Sequence, residues 1–116
     1  MTLALYGLKT CDTCRKAIKE LEAAGRPVTV VDMRAEADLA ALAPRWLDAV
    51  GVDALVNRRS TTWRSLSEAE RARSADAAGA AALLAAHPTL VKRPVIVSGD
   101  GVHVGWTAAV RAALGL

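Results

Sequence analysis

Leu3 to Tyr6 is a short apolar run ending at Gly7, the pattern of a buried strand. From Asp12 to Ala24 the period becomes helical. Cys14, Ala17, Ile18 and Leu21 fall at i, i+3, i+4 and i+7 on one face, and Gly25 and Pro27 supply stop signals. Val28 to Val31, rich in β-branched residues, predicts a second buried strand. Strand, helix and strand within about thirty residues form a βαβ unit, which favours a parallel pair joined by a right-handed crossover.

The middle of the chain reads as helical. Leu39, Leu42, Trp46, Leu47 and Val50 keep helical spacing, with Pro44 starting or kinking that helix and Gly51 ending it. Ser67 followed by Glu70 is a capping-box pattern that opens another helix. Asp76 to His87 continues in Ala- and Leu-rich sequence, with Gly79 a weak point, until Pro88 stops it. Then the period changes again. Val95 to Val97 and Val102 to Val104 predict two strands, and Ser98-Gly99-Asp100-Gly101 between them has turn chemistry, so this stretch reads as a hairpin. Thr107 to Leu114 closes the chain as a short helix. The order is βαβ, several helices, then ββα. Residues 1–116 therefore read as one α/β domain with a helical insertion over about 36–87.

Composition changes this picture little. At 116 residues the chain can bury well over half of its unfolded surface in one core. With three Trp, one Tyr and no Phe, that core must be built from Leu, Val, Ile and Ala. The net charge of +3, with eleven Arg against four Lys, suits a site for small anions better than a nucleic-acid surface, which shows a concentrated basic stripe. No stretch reaches the roughly 18 apolar residues of a membrane span. Met1 to Leu5 lacks the basic lead-in and cleavage site of a signal peptide, so a cytoplasmic protein is expected.

In a reducing compartment a close cysteine pair reads as catalytic, redox-sensing or metal-binding rather than as a permanent disulfide. Cys11 and Cys14 form such a pair, C-x-x-C, at a strand-to-helix junction. A sulfur at the first turn of a helix feels unpaired N–H groups and the positive end of the macrodipole, both of which favour thiolate. Arg15, with Lys9 and Lys16, adds positive charge along the chain. Cys11 follows a polar Lys-Thr, which makes it the more exposed thiol and the candidate nucleophile. Cys14, one turn further in, is the candidate resolving thiol. Two alternatives stay open on the residues alone: a pair of buried structural thiols, or a zinc site. The second would need His87 and His103, distant in sequence, to complete about four ligands, and no metal is expected.

Three blocks carry a resemblance. They are Tyr6-Gly7-Leu8-Lys9-Thr10-Cys11-Asp12-Thr13-Cys14-Arg15-Lys16-Ala17, Leu55-Val56-Asn57-Arg58-Arg59-Ser60-Thr61-Thr62-Trp63-Arg64, and Pro88-Thr89-Leu90-Val91-Lys92-Arg93-Pro94-Val95 followed by Val104-Gly105-Trp106. In this order they resemble the arsenate reductase-like family (ArsC, Spx and YffB types), and the opening block is most similar to the YffB type. The resemblance implies a thioredoxin-like fold with helices inserted between βαβ and ββα. It implies that Cys11 is the nucleophile, that Cys11-x-x-x-Arg15 is an anion-cradling loop, that Arg93 stabilises an oxyanion, and that Pro94 is a cis-proline facing the cysteine. Arg59, beside Arg58, is the candidate for a further anion-binding arginine.

The chain also departs from the arsenate-reducing members. Where they carry a His four residues before the cysteine, this chain has Gly7. Their first downstream arginine falls near Asn57 and their last near Trp106. Because bidentate guanidinium contacts specify tetrahedral oxyanions, these changes point from arsenate towards disulfide substrates. The resemblance thus implies a thiol-dependent oxidoreductase acting on a small anionic or disulfide substrate. It would hold no bound cofactor and would draw electrons from glutathione or from a thioredoxin or glutaredoxin. The alternative is an Spx-type redox-sensing transcription regulator that binds RNA polymerase. The three Trp read as core or groove-wall packing, His87 as a helix C-terminal residue, and His103 as an ordinary strand residue.

Overall fold

The computed structural model describes residues 2–99 and 101–116. Met1, and Asp100 of the predicted turn, lie outside the described residues. The chain divides into two compact units, one formed by residues 1–36 and 93–116 and the other by residues 37–92.

The first unit is a mixed four-stranded sheet with two helices. Strand β1 (Leu3–Gly7) leads into helix α1 (Asp12–Ala23), which returns to β2 (Val28–Asp32). At the other end of the chain, β3 (Val95–Ser98) and β4 (Gly101–Val104) form the hairpin, followed by a final helix over Ala108–Ala113. Strand order is β2-β1-β3-β4, with β1 and β2 parallel and the other neighbours antiparallel. This is the thioredoxin-like α/β arrangement of βαβ and ββα around one sheet. Alternate residues Leu3 and Leu5 of β1 are fully buried and pack with Ala17 and Leu21 of α1, Ile96 of β3 and Leu114. That follows from the period of two in the strand and 3.6 in the helix. Trp106 packs against this cluster, and its indole N–H donates to Glu20 Oε2 at 2.5 Å, while Arg111 pairs with the other Glu20 oxygen at 2.9 Å.

β2 corrects one expectation. Val28 to Val31 does not form a buried strand but an edge strand, with Val30 45% exposed. β-branched composition signals strand without saying how many faces are covered. β1, paired on both sides, holds the central position instead.

The second unit is helical, with α2 (Leu39–Val50), α3 (Val52–Leu55), α4 (Thr61–Ser65), α5 (Glu68–Ala72) and α6 (Ala77–Ala86); the closing helix Ala108–Ala113 is α7. α2 is capped by Asp38, whose side chain accepts from the Ala41 N–H, and it runs through Pro44 rather than starting there. It packs on α6, burying Trp46, Leu47, Leu83 and Leu84 within the unit. The capping box of Ser67 and Glu70 is present in full. Gly79, a poor helix former, has a packing reason. A Cβ there would collide with the carbonyl oxygen of Arg73 in the short 3-10 turn preceding α6. His87 caps α6 and lies 3.7 Å from the Glu70 carboxylate. No helix among the described residues is long and apolar enough to cross a membrane.

Candidate active site

β1 ends at Gly7 and the chain turns through Leu8 to Thr10 into α1, with Cys11 at the N-cap in extended conformation. This placement leaves Cys11 partly exposed, whereas Cys14, on the inward face of the first turn, is 1% exposed. Both thiols are free. The third member comes from the far end of the chain. The cis Arg93–Pro94 peptide bond leads into β3, Pro94 is buried and Arg93 half-buried.

The two sulfurs differ sharply in acidity. Partial burial pushes the Cys11 thiol up. The backbone N–H and thiol of Cys14 and the guanidinium of Arg93 act against it, and the net result is a pKa below the ordinary thiol value. The Cys11 sulfur makes no cap hydrogen bond of full geometry, but the Cys14 N–H faces it closely enough to favour its thiolate. Cys14 moves the other way. Burial, together with the neighbouring Cys11 thiolate, pushes it up to about 12, against the opposing influence of the Leu8 N–H and Arg93. Cys11 is therefore the more readily ionised thiol, while Cys14 stays protonated and favours the Cys11 thiolate as a donor.

Arg15 does not play the electrostatic part expected of it. Its side chain is 63% exposed and is held by Asp12 one turn back, and the cation acting on Cys11 is Arg93. Sequence proximity favoured Arg15, but the fold brings a residue 82 positions away to the sulfur. Pro94 is cis, as the resemblance implied.

Arg59 belongs to the second unit. There, Leu55 to Asn57 pairs antiparallel with Leu90 to Lys92 through the bridge Val56–Val91, with backbone bonds of 2.9 Å from Asn57 to Leu90 and 2.8 Å from Lys92 to Leu55. This short ladder gathers Asn57, Arg58, Arg59 and Lys92 around a cavity of about 390 Å³. The Asn57 side chain is turned inward on its own turn, accepting from the Arg59 N–H at 3.1 Å. Arg58 pairs with Asp53 at 2.8 Å and lies 5.7 Å from the centre of the Trp63 ring. Among the described residues no group of three or more His, Cys, Asp or Glu side chains could hold a metal ion.

Residues 6–113 match the ArsC family. The chain belongs to that family. It is 39% identical over 105 residues to an uncharacterized protein of Haemophilus influenzae, covering 90% of each chain. Among solved structures it is similar to a YffB protein, with 35% identity, 96% of each chain covered and a TM-score of 0.87. It is also similar to an arsenate reductase (ArsC) related protein from Brucella melitensis, with 38% identity, 100% of this chain and 97% of the other covered, and a TM-score of 0.77.

Within the ArsC family frame, the positions where this chain departs have structural uses. Trp106 closes the core beside α1 through Glu20, Asn57 shapes the turn that carries Arg59, and Gly7 lies directly against Cys14. Reading the residues alone missed Lys92 and the Val56–Val91 bridge, because one pairing step leaves no periodicity. Gly7 did leave a signal, since an isolated glycine at a strand end marks a close approach.

Proposed function

We propose that this chain is a thiol-dependent reductase whose nucleophile is Cys11 and whose substrate is a small disulfide. The observation that carries this reading is the opposed acidity of the two thiols beside Arg93. The Cys11 thiolate attacks one sulfur of a disulfide, forming a mixed disulfide with it and expelling the other sulfur as a thiolate, which takes up a proton. A second thiol, Cys14 or glutathione, then attacks the mixed disulfide and releases the bound half of the substrate in reduced form. The two electrons come from glutathione or from a thioredoxin or glutaredoxin, and no bound cofactor is needed. Arg93 holds negative charge next to the reacting sulfur, and Pro94 sets the entry of Arg93 into β3. Arg15 supplies further positive charge for an anionic substrate such as a glutathione adduct. The cytoplasm, with its reduced thiol pool, is the matching compartment.

Membership of the ArsC family and the likeness to an arsenate reductase related protein support a reductase; Gly7, Asn57 and Trp106 argue for disulfides over arsenate. Each missing charge-assisted hydrogen bond weakens oxyanion binding by about 1.5–3 kcal/mol, so two such losses amount to a hundredfold or more in affinity. The test is turnover by purified protein coupled to glutathione or thioredoxin, offered small disulfides and arsenate in parallel. Disulfide reduction with little or no arsenate reduction is expected, and a pull-down against RNA polymerase should be empty. Efficient arsenate turnover would contradict the substrate assignment.

A further inference from the structure

We propose that Gly7 is a positioning residue that seats the Cys14 thiol against Cys11 and so sets the second half of the reaction. The inference rests on the dithiol reading above and deepens it. A Cβ placed on Gly7 would lie 2.6 Å from Cys14 Sγ, a separation that real Cβ atoms do not reach, and 3.2 Å from Cys14 Cβ. The sulfur is the severe clash, the Cys14 Cβ contact is tight, and the backbone conformation itself does not require glycine. Gly7 is not among the glycines with positive φ, and its next neighbour, Leu5 Cδ2, lies at an ordinary 3.4 Å. The missing side chain therefore serves the sulfur, not the backbone.

The relief open to an alanine at this position is rotation of Cys14 about χ1 to another staggered well. The cavity of about 390 Å³ that Gly7 and Cys14 both line gives the sulfur room to turn. That rotation carries the thiol off the position from which it meets Cys11. Two functions are lost together. Cys11 loses a donor that favours its thiolate, and Cys14 loses the alignment needed to attack a mixed disulfide on Cys11. In that attack, a bond forms between the Cys14 and Cys11 sulfurs as the bond from Cys11 to the substrate sulfur breaks. The departing sulfur is reduced and takes the Cys14 proton, and the protein is left with a Cys11–Cys14 disulfide, which two equivalents of a small thiol reduce.

A reaction with one equivalent of dithiodipyridine per protein reads both steps, because attack by Cys11 releases one chromophore and attack by Cys14 on the mixed disulfide releases the other. The wild type releases two equivalents. Gly7→Ala releases the first completely and the second at least about tenfold more slowly, and its Cys11 titrates at higher pH than in the wild type. Cys14→Ala releases one equivalent, and adding Gly7→Ala to it leaves the Cys11 titration within about a tenth of a pH unit and lowers the melting temperature by less than Gly7→Ala does in the wild type, because the sulfur is gone and only the tight Cβ contact remains. Should Gly7→Ala alone melt too low to assay, recovery of its melting temperature in the Cys14→Ala background reports the same coupling. Two equivalents from Gly7→Ala at the wild-type rate, or additive effects of the two substitutions, overturn the assignment of Gly7 while leaving the dithiol reading intact. Only one equivalent from the wild type overturns the dithiol reading, and this inference falls with it.

Discussion

Arg93 matches an anion-binding arginine in the sequence resemblance and Arg59 stands beside the position of another, yet the two units hold their cations in different settings. In the first unit, Arg93 is half-buried beside a cysteine and, with the Cys14 N–H and thiol, favours its thiolate. In the second, Arg58 and Arg59 are exposed. Arg58 is held by Asp53, while Arg71, packed over Trp63 at 5.8 Å, donates to the carbonyl of Arg64 at 2.8 Å. A charge shielded from water acts strongly on its neighbour, and one at the surface is screened within about 10 Å at ordinary salt. The same residue type is therefore a determinant of reactivity in one unit and a modest contributor in the other.

The comparison breaks first at Cys11. Cys11→Ser should lower disulfide reduction by at least about a thousandfold, because serine offers no comparable nucleophile at neutral pH. Retained turnover would move the chemistry to Cys14. Next is Arg93→Ala. Removing a cation that favours thiolate raises the Cys11 pKa, so the rising limb of the pH–rate curve moves to higher pH. At pH values below the thiol's pKa the rate falls about tenfold for every pH unit that the limb moves, and the loss fades once pH exceeds the thiol range. A uniform loss at every pH would instead mean that Arg93 only binds substrate. Smallest are the surface arginines of the second unit. Arg58→Ala should change stability by no more than about 0.5 kcal/mol in denaturant melts, since exposed ion pairs contribute little. Arg59→Ala should likewise change stability little and leave the reduction of neutral disulfides unaffected. A large effect on neutral disulfides would erase the distinction between the units.

Much of the fold was legible because its signals are local. The apolar run from Leu3 to Tyr6 ended by Gly7, the helical spacing from Cys14 to Leu21, the Ser67–Glu70 box and the Val-rich hairpin strands each declare themselves within a few residues. The edge position of β2 was not legible, because Val28 to Val31 has the composition of a covered strand and only pairing partners decide exposure. At the site, C-x-x-C marked both thiols and the resemblance marked Arg93 and Pro94. Which cation tunes Cys11 was hidden, since Arg15 is near in sequence but turned to Asp12, and Arg93 arrives through β3. The glycine at position 7 marked a close approach, but what approaches it was hidden. That depends on where one sulfur points after β1 and α1 have packed.

The central claim is that the fold divides the two thiols into a thiolate and a protonated partner. Iodoacetamide labelling across a pH series, with each site quantified by mass spectrometry, tests it most directly. Cys11 should label first, with a midpoint below the ordinary thiol value of about 8.5, and Cys14, pushed up to about 12, should stay unlabelled across the neutral and mildly alkaline range. Labelling of Cys14 ahead of Cys11, or an ordinary thiol titration at both positions, would contradict the account.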